Sequence, residues 1–223
     1  MSKRVAVVLS GCGVMDGSEI HEAVITLLHL DRAGAQAVCC APEIPQAQVV
    51  NHVSREDQAG EKRRVLIESA RIARGEIKPL ARVASADVDA AIFPGGFGAA
   101  KNLCTFASAG ADCEVNADVA RLLRDLHAAG KPIGLMCIAP VLAAKVLGRL
   151  EPRLSLTIGD DAETASAIEA MGARHVACAV DAVVLDETHK VVTTPAYMLA
   201  KGPAQVDAGV GQLVAEVLRL CTG

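Results

Sequence analysis

The chain of 223 residues is 52% hydrophobic and carries 22 basic against 26 acidic residues, a formal charge of −4. This size allows one substantial core, so residues 1–223 are predicted to form a single domain. The acidic balance and a supply of only three Phe and one Tyr exclude the basic surface and the stacking platform that nucleic-acid binding needs.

The first apolar run covers only residues 5–9, which is shorter than the apolar segment of a signal peptide or of a membrane span. A cytoplasmic location without membrane contact is therefore predicted. The eight cysteines include no Cys-x-x-Cys pair, and no histidine pair has the spacing of zinc ligands. We therefore expect no metal site, and mostly buried, reduced thiols that serve packing.

Short apolar runs alternate with amphipathic segments along the chain. The runs are residues 5–9, 37–41, 90–93 and 132–136. Their continuous apolar character predicts parallel strands that are buried on both faces. The segments with apolar residues at helical spacing are residues 20–28, 66–73 and 119–126. This alternation predicts a doubly wound α/β fold, with helices on both faces of a mostly parallel sheet.

Local signals mark the ends of the first helix. Asp16, with Glu19 three residues later, is predicted to cap it, and Gly34 is predicted to end it. Beyond residue 150 the pattern predicts a helix, a hairpin and a last helix, at residues 161–171, 182–193 and 206–217.

The residues that directly follow the strands matter most for function, because ligands of open α/β sheets bind beyond the carboxyl ends of the strands. Cys137 follows the strand at 132–136, and Pro140 suits the first turn of a helix. Such a turn projects the thiol from the sheet as a nucleophile elbow does, and a helix N-terminus lowers the pKa of a thiol. A buried cysteine in a tight turn is the alternative interpretation.

Consecutive glycines follow the strand at 90–93. Gly95 and Gly96 let the backbone approach a ligand closely and point amide hydrogens at it. The amides of Gly96 and Ile138 are therefore candidates for an oxyanion hole. A tight turn without a ligand would have the same glycine content.

Four strings carry a family resemblance that covers nearly the whole chain. They are SGCGVMDGSEIHE at 10–22, PGGFGAAKNL at 94–103, MCIAP at 136–140 and VTTPAYML at 192–199. Together they resemble the ThiJ/PfpI superfamily, the flavodoxin-like relatives of class I glutamine amidotransferase domains, and within it the bacterial glyoxalases known as enhancing lycopene biosynthesis proteins. The resemblance implies a flavodoxin-like fold, a homodimer, and conversion of a small aldehyde, glyoxal, to glycolate without a cofactor.

The resemblance also assigns roles to two groups. It implies that Cys137 is the nucleophile and that a glutamate of the first helix lies within hydrogen-bond reach of its sulfur. Glu22 is the preferred candidate for this general acid and base, and Glu19 is the alternative, which a capping role would also explain. A carboxyl beside a thiolate is expected to hold its proton to a higher pH than usual.

The chain departs from the superfamily directly after the nucleophile. Many members have a histidine there, whereas this chain has Ile138 and Ala139. A protease or amidotransferase triad is therefore doubtful. His21, beside Glu22, is the histidine nearest to the site in sequence, and a solvent-facing helix residue is the alternative interpretation of it.

Three other functions stay open. Cys137 could be a redox-sensing or regulatory thiol, with Cys12 as a partner for a disulfide. The domain could also retain an amidotransferase-like fold without the triad. Finally, Gly11, Gly13 and Gly17 follow the first strand in a pattern that superficially fits dinucleotide binding, although the third glycine comes one residue late.

Overall fold

The computed structural model describes residues 2–151 and 153–221. Nine strands lie within these residues: β1 (Arg4–Val8), β2 (Gln36–Ala41), β3 (Lys78–Pro79), β4 (Ala90–Phe93), β5 (Ile133–Met136), β6 (Ser155–Leu156), β7 (Arg174–His175), β8 (Val184–Asp186) and β9 (Val191–Thr194). Eight α-helices lie there too: α1 (Ile20–Arg32), α2 (Val65–Ile72), α3 (Phe97–Lys101), α4 (Phe106–Ala109), α5 (Ala117–Ala128), α6 (Pro140–Leu147), α7 (Ala162–Ala170) and α8 (Pro203–Leu220).

One sheet has the strand order β3-β2-β1-β4-β5-β9-β8, and the short strands β6 and β7 pair separately. All neighbours in the large sheet are parallel except β8 and β9, the predicted hairpin. The strand order reverses at β1, because β2 and β3 lie on one side of it and β4 and β5 on the other. The predicted flavodoxin-like α/β fold is therefore confirmed, and its ligand crevice is expected above the carboxyl ends of β1, β4 and β5.

The continuous apolar runs have a simple structural explanation. Successive side chains of a strand point to opposite faces, and both faces of this sheet are buried. On β1, Val5 and Val7 join a core with α1 and α8, whereas Ala6 and Val8 join a second core with α5 and α6. A polar residue at any of these positions would be buried on one face or the other.

The start of α1 differs from the prediction. Glu19, and not Asp16, is the capping residue, since its side chain accepts a hydrogen bond from the Glu22 N–H at 2.7 Å. Asp16 is unavailable because its carboxylate accepts a hydrogen bond from the Val50 N–H at 2.8 Å. The predicted end at Gly34 is correct, with φ of 68° just beyond the helix.

The sequence pattern missed the shortest elements. These are β3, the β6–β7 pair, and the helices α3 and α4 of five and four residues. Elements of this length span too few residues to show a hydrophobic period. Among the described residues, no helix combines the length and the apolar character that crossing a membrane requires.

Candidate active site

Cys137 occupies a sharp turn between β5 and α6. Its φ is 58°, in the left-handed region that residues with a side chain rarely adopt. The Cys137 N–H still donates to the Thr194 carbonyl at 3.0 Å, so the strand pairing holds the residue in this conformation. Strained backbone held by its surroundings is a feature of nucleophile elbows and of other functional sites.

Glu22 lies fully buried on the first turn of α1, beside Cys137. One carboxylate oxygen accepts a hydrogen bond from the Gly95 N–H at 2.8 Å, and the other accepts one from the Tyr197 N–H at 3.2 Å. The carboxyl also hydrogen-bonds to the Cys137 thiol. Three loops that follow different strands therefore converge on one side chain of α1.

The pKa of the Cys137 thiol shifts in the direction opposite to the one predicted, because the residue is buried. The Cys137 residue is 7% exposed, and its burial and the nearby Glu22 carboxylate raise the pKa of the thiol well above its ordinary value. The amide N–H groups of Gly96 and Ile138 hydrogen-bond to the sulfur and act in the other direction, but they do not compensate. The expectation of an exposed thiol with a lowered pKa is therefore wrong, because desolvation exceeds the effect of the turn.

The pKa of Glu22 is raised to about 7, chiefly because burial disfavours the carboxylate, with a further contribution from the charge of Glu19. The hydrogen bonds from Tyr197 and Gly95 lower it again in part. Around neutral pH Glu22 is therefore partly ionised, whereas the Cys137 thiol keeps its proton. A carboxylate in contact with the thiol is a base that can take its proton when the sulfur attacks.

The two glycines after β4 are required for this contact. A Cβ atom at Gly95 would lie 2.5 Å from the Cys137 Cβ and 2.8 Å from a Glu22 carboxylate oxygen. At Gly96, φ is 91°, and a Cβ would lie 2.3 Å from the Glu19 nitrogen. The glycine turn thus lets the backbone amides approach the sulfur without a side chain between them.

A cavity of about 420 Å³ opens above Cys137. The residues around it come from six segments of the chain: Val14, Glu19, Gly96, Phe97, Ala100, Phe106, Ala107, Cys137, Ile138, Asp161, Glu163, Thr164, Tyr197 and Met198. These described lining residues include no lysine, arginine or histidine. A larger groove of about 770 Å³ lies along residues 45–64, but neither Cys137 nor Glu22 lines it.

Glu19 and Glu22 have different positions relative to the cavity. Glu19 lines the cavity and caps α1, whereas Glu22 lies behind Cys137 and contacts the thiol. Structure therefore brings both candidates to the site. Only Glu22 is a hydrogen-bond partner of the sulfur, which favours it as the residue that exchanges a proton with Cys137.

Sequence reasoning gave no role to Tyr197 or to the start of α7. Tyr197 follows β9 at the same edge of the sheet, where a prediction was possible from its position alone. Its hydroxyl forms a 2.6 Å hydrogen bond with His21 Nδ1, so His21 contacts the cavity wall and not the sulfur. Asp161, the cap of α7, and Glu163 place two carboxylates on the cavity rim, and a helix start by itself does not reveal this.

The glycine loop after β1 is bonded within the protein. The Ser10 N–H donates to the Ser18 hydroxyl at 2.8 Å and the Gly11 N–H to the Ser69 hydroxyl at 2.9 Å. The Gly13 N–H donates to the Ser18 carbonyl at 2.9 Å. These amides are not available to a pyrophosphate, which argues against the dinucleotide interpretation.

Two predictions concerned a disulfide and a metal site. Cys12 and Cys137, the candidate disulfide partners, are both free thiols. The charged groups that act most on the pKa of the Cys12 thiol are Glu68, Arg71 and Asp16. Within the described part of the chain, no three histidine, cysteine or acidic side chains converge as a metal site would require.

Comparison with known sequences finds close relatives in animals. The chain is 53% identical over 226 residues to the human protein "glutamine amidotransferase-like class 1 domain-containing protein 3, mitochondrial", a match that covers 97% of this chain and 83% of the relative. It is 38% identical over 234 residues to the zebrafish (Danio rerio) "ES1 protein, mitochondrial", covering 97% and 85%. No family model matches the chain.

Solved structures also match nearly the whole length of the chain. A crystal structure of an isoprenoid biosynthesis protein with an amidotransferase-like domain from Ehrlichia chaffeensis superimposes with a TM-score of 0.91 at 35% identity, covering 98% of this chain and 99% of that one. DJ-1beta of Drosophila melanogaster matches with a TM-score of 0.57 at 22% identity, over 100% and 97% of the two chains, and shows a shared fold.

These relatives contradict the predicted cytoplasmic location. The human, rat and zebrafish proteins are all named as mitochondrial, which points to mitochondria and away from the cytoplasm. The prediction depended on the short apolar run at residues 5–9. That run is the buried strand β1, and a strand of the core carries no information on the compartment.

Proposed function

Since this chain belongs to the ThiJ/PfpI superfamily of class I glutamine amidotransferase-like proteins, as its motifs predicted, we propose that it is a cofactor-independent glyoxalase that converts glyoxal to glycolate. The observation that carries the proposal is the buried Glu22 carboxyl in hydrogen-bond contact with the Cys137 thiol at a strained turn. A thiol and a base in contact are what the addition of sulfur to a carbonyl carbon needs.

The first step forms a carbon–sulfur bond. The Glu22 carboxylate takes the proton of the Cys137 thiol while the sulfur attacks one carbonyl carbon of glyoxal. The amide N–H groups of Gly96 and Ile138, which hydrogen-bond to the sulfur, stabilise the oxygen that becomes negative in this proposal. Protonation of that oxygen by Glu22 gives a hemithioacetal.

The second step moves hydrogen between the two carbons. Glu22 removes the proton from the carbon bonded to sulfur, which gives an enediol, and a proton is returned to the other carbon. The product is a thioester of glycolate. Water then cleaves the thioester and restores the thiol, so one carbon is oxidised, the other is reduced, and the balance needs no external electron carrier.

The cavity supports a small uncharged substrate. Its lining is largely apolar, its polar side chains besides Cys137 are carboxylates and hydroxyls, and the described lining residues supply no cation to bind an acid. Glutamine, which carries a carboxylate, lacks a counter-ion there. This composition favours an aldehyde over the substrate of an amidotransferase.

An assay of glycolate formation from glyoxal tests the proposal. Cys137→Ala should lower the rate by roughly 10³-fold or more while circular dichroism shows an unchanged fold. Glu22→Gln should lower kcat by roughly 10²-fold, and the matched variant Glu19→Gln by much less.

Three results would contradict the proposal. Substantial turnover by Cys137→Ala would exclude a covalent route through this residue. Hydrolysis of glutamine with no glycolate formation would identify an amidotransferase-like activity. Oxidation of Cys137 by peroxide, in a protein without glyoxal turnover, would leave a redox-sensing thiol as the function.

A further inference from the structure

Cys104 and Cys113 form a pair of thiols outside the catalytic contact. Both residues are buried, at 2% and 1% exposure, in the same core, and each thiol shifts the pKa of the other. The Cys104 thiol donates its hydrogen to the Ala99 carbonyl at 3.3 Å. Backbone pairing brings the two segments together, since Cys104 bridges Val115 and the Thr105 N–H donates to the Glu114 carbonyl at 3.0 Å. Packing alone was the expectation for these cysteines, but the backbone pairing also makes them neighbours.

The segment between the two cysteines forms part of the cavity wall. Phe106 and Ala107 of α4 line the cavity above Cys137. The segment continues as a single 3₁₀ turn, and Lys145 of α6 donates to its Ala111 carbonyl at 2.8 Å. Helices this short have few internal hydrogen bonds, so the position of the wall depends on what holds the two ends of the segment.

We propose that Cys104 and Cys113 are a reversible disulfide site, which in its oxidised form closes the segment of residues 105–112 and holds the wall of the cavity over Cys137. The disulfide itself does not depend on the proposed function. Only its consequence for turnover rests on that proposal.

The oxidant is a hydroperoxide, which reaches Cys113 when the short segment of residues 105–112 opens locally, because the residue is only 1% exposed in the closed structure. The Cys113 thiolate attacks one peroxide oxygen, the O–O bond breaks, and the products are a sulfenic acid at Cys113 and hydroxide, which becomes water. The Cys104 sulfur then attacks the sulfenic sulfur, the S–O bond breaks, and the hydroxyl group leaves as water with the Cys104 proton. Two thiols lose two electrons and the peroxide gains them. A dithiol reductant reverses the change by thiol exchange.

The surroundings of the pair favour Cys113 as the attacking sulfur. The neighbouring Cys104 thiol lowers the pKa of Cys113, and the Lys145 ammonium group contributes in the same direction against the effect of burial. The pKa of Cys104 is raised by the Cys113 thiol and by burial. One thiol is thus the nucleophile and its neighbour resolves the sulfenic acid, as the sequence of steps requires.

The chain offers a direct test because Lys101 and Arg121 flank the pair. Trypsin releases both cysteines in one peptide, residues 102–121. The Cys137→Ala variant is treated with hydrogen peroxide, alkylated after unfolding, digested and analysed by mass spectrometry. We expect this peptide to lack both alkyl groups and two hydrogen masses, and dithiothreitol to restore alkylation. Cys113→Ser and Cys104→Ala should each abolish the change, whereas the control Cys178→Ser should retain it.

A melting experiment on the same samples tests whether the disulfide constrains the segment of residues 105–112. The oxidised Cys137→Ala protein should melt roughly 5 °C or more above its reduced form, because the closed segment has less freedom in the unfolded chain. Full alkylation of peptide 102–121 after peroxide, pairing of either cysteine with another residue, or a disulfide without a rise in Tm would overturn the proposal. None of these readouts requires glyoxal turnover, so failure of the proposed glyoxalase function would not be mistaken for absence of the Cys104–Cys113 disulfide.

Discussion

Glu22 illustrates how one buried carboxyl can connect catalysis to stability. Its two oxygens accept hydrogen bonds from the backbone of Gly95 and Tyr197, and its third partner is the Cys137 thiol. On a protein surface, hydrogen bonds of this kind would lower the pKa of a carboxyl group and keep it ionised at low pH. Full burial outweighs them here, and the pKa rises to about 7. A base with this pKa is matched to proton transfer at neutral pH.

The raised pKa predicts a pH-dependent stability. Folded Glu22 keeps its proton up to about pH 7, whereas an unfolded glutamate loses it near the ordinary value of 4.5. Between these values the folded state binds more protons, so the contribution of Glu22 is complete below pH 4.5 and is lost as the pH rises to 7. Glu22→Gln should therefore match the wild type at pH 4.5 and exceed it at pH 8, by roughly 3 kcal/mol.

Urea unfolding at several pH values measures this difference. The control is Glu169→Gln, an exposed residue of α7 whose substitution should leave the pH profile unchanged. If Glu22→Gln tracked the wild type at every pH, the carboxyl would titrate alike in the folded and unfolded states, and its role as a poised base would be wrong.

At the scale of elements, the long strands and helices were predictable and the site was only partly so. Strands of four to six residues were visible as continuous apolar runs, and helices of eight or more residues as a helical period. The position of the residues after β4 and β5 at the ligand edge of the sheet followed from the predicted topology. Side-chain contacts did not follow, because the burial that raises the pKa of Cys137 comes from segments far apart in sequence. The wall formed by α4 was missed for another reason, since its four residues are too few to show a pattern.

The start of α7 predicts a preference for uncharged aldehydes. Asp161 and Glu163 lie on the cavity rim, and hydrogen bonds from Thr164 lower the pKa of Asp161, which keeps it ionised. Glyoxylate, an anionic aldehyde, should therefore inhibit glyoxal turnover weakly. Glu163→Gln should lower the inhibition constant of glyoxylate by roughly two- to five-fold, a size typical of an exposed charge. Glu169→Gln on the same helix is the control, and an equal effect there would show that the rim carboxylate does not select substrates.

At the scale of the whole molecule, the sequence carries information on fold but little on compartment or assembly. The apolar run on which the predicted location depended is β1, an interior strand of the sheet. The homodimer implied by the family resemblance stays a prediction. One surface feature is compatible with it, since Ile20, Val24 and Leu28 of α1 are exposed at four-residue spacing and form an apolar stripe.

We expect light scattering to give a mass of twice 23.0 kDa, because a stripe on one helix can pair with its own copy across a two-fold axis. Val24→Glu should shift the protein toward a monomer. Val53→Glu, at a position outside α1 that is 96% exposed, is the matched control and should stay dimeric. A monomer mass for the unmodified protein would contradict the prediction.

The hydrogen bond between Tyr197 and Glu22 joins positions 175 residues apart. During synthesis on the ribosome, the carboxyl of α1 and the sulfur of Cys137 are both present long before β9 and its following turn emerge. Until then one oxygen of Glu22 has no backbone donor from that turn, and the strand before Cys137 has only β4 as a partner. The sulfur therefore gains its full chemical environment only when the polypeptide is almost complete.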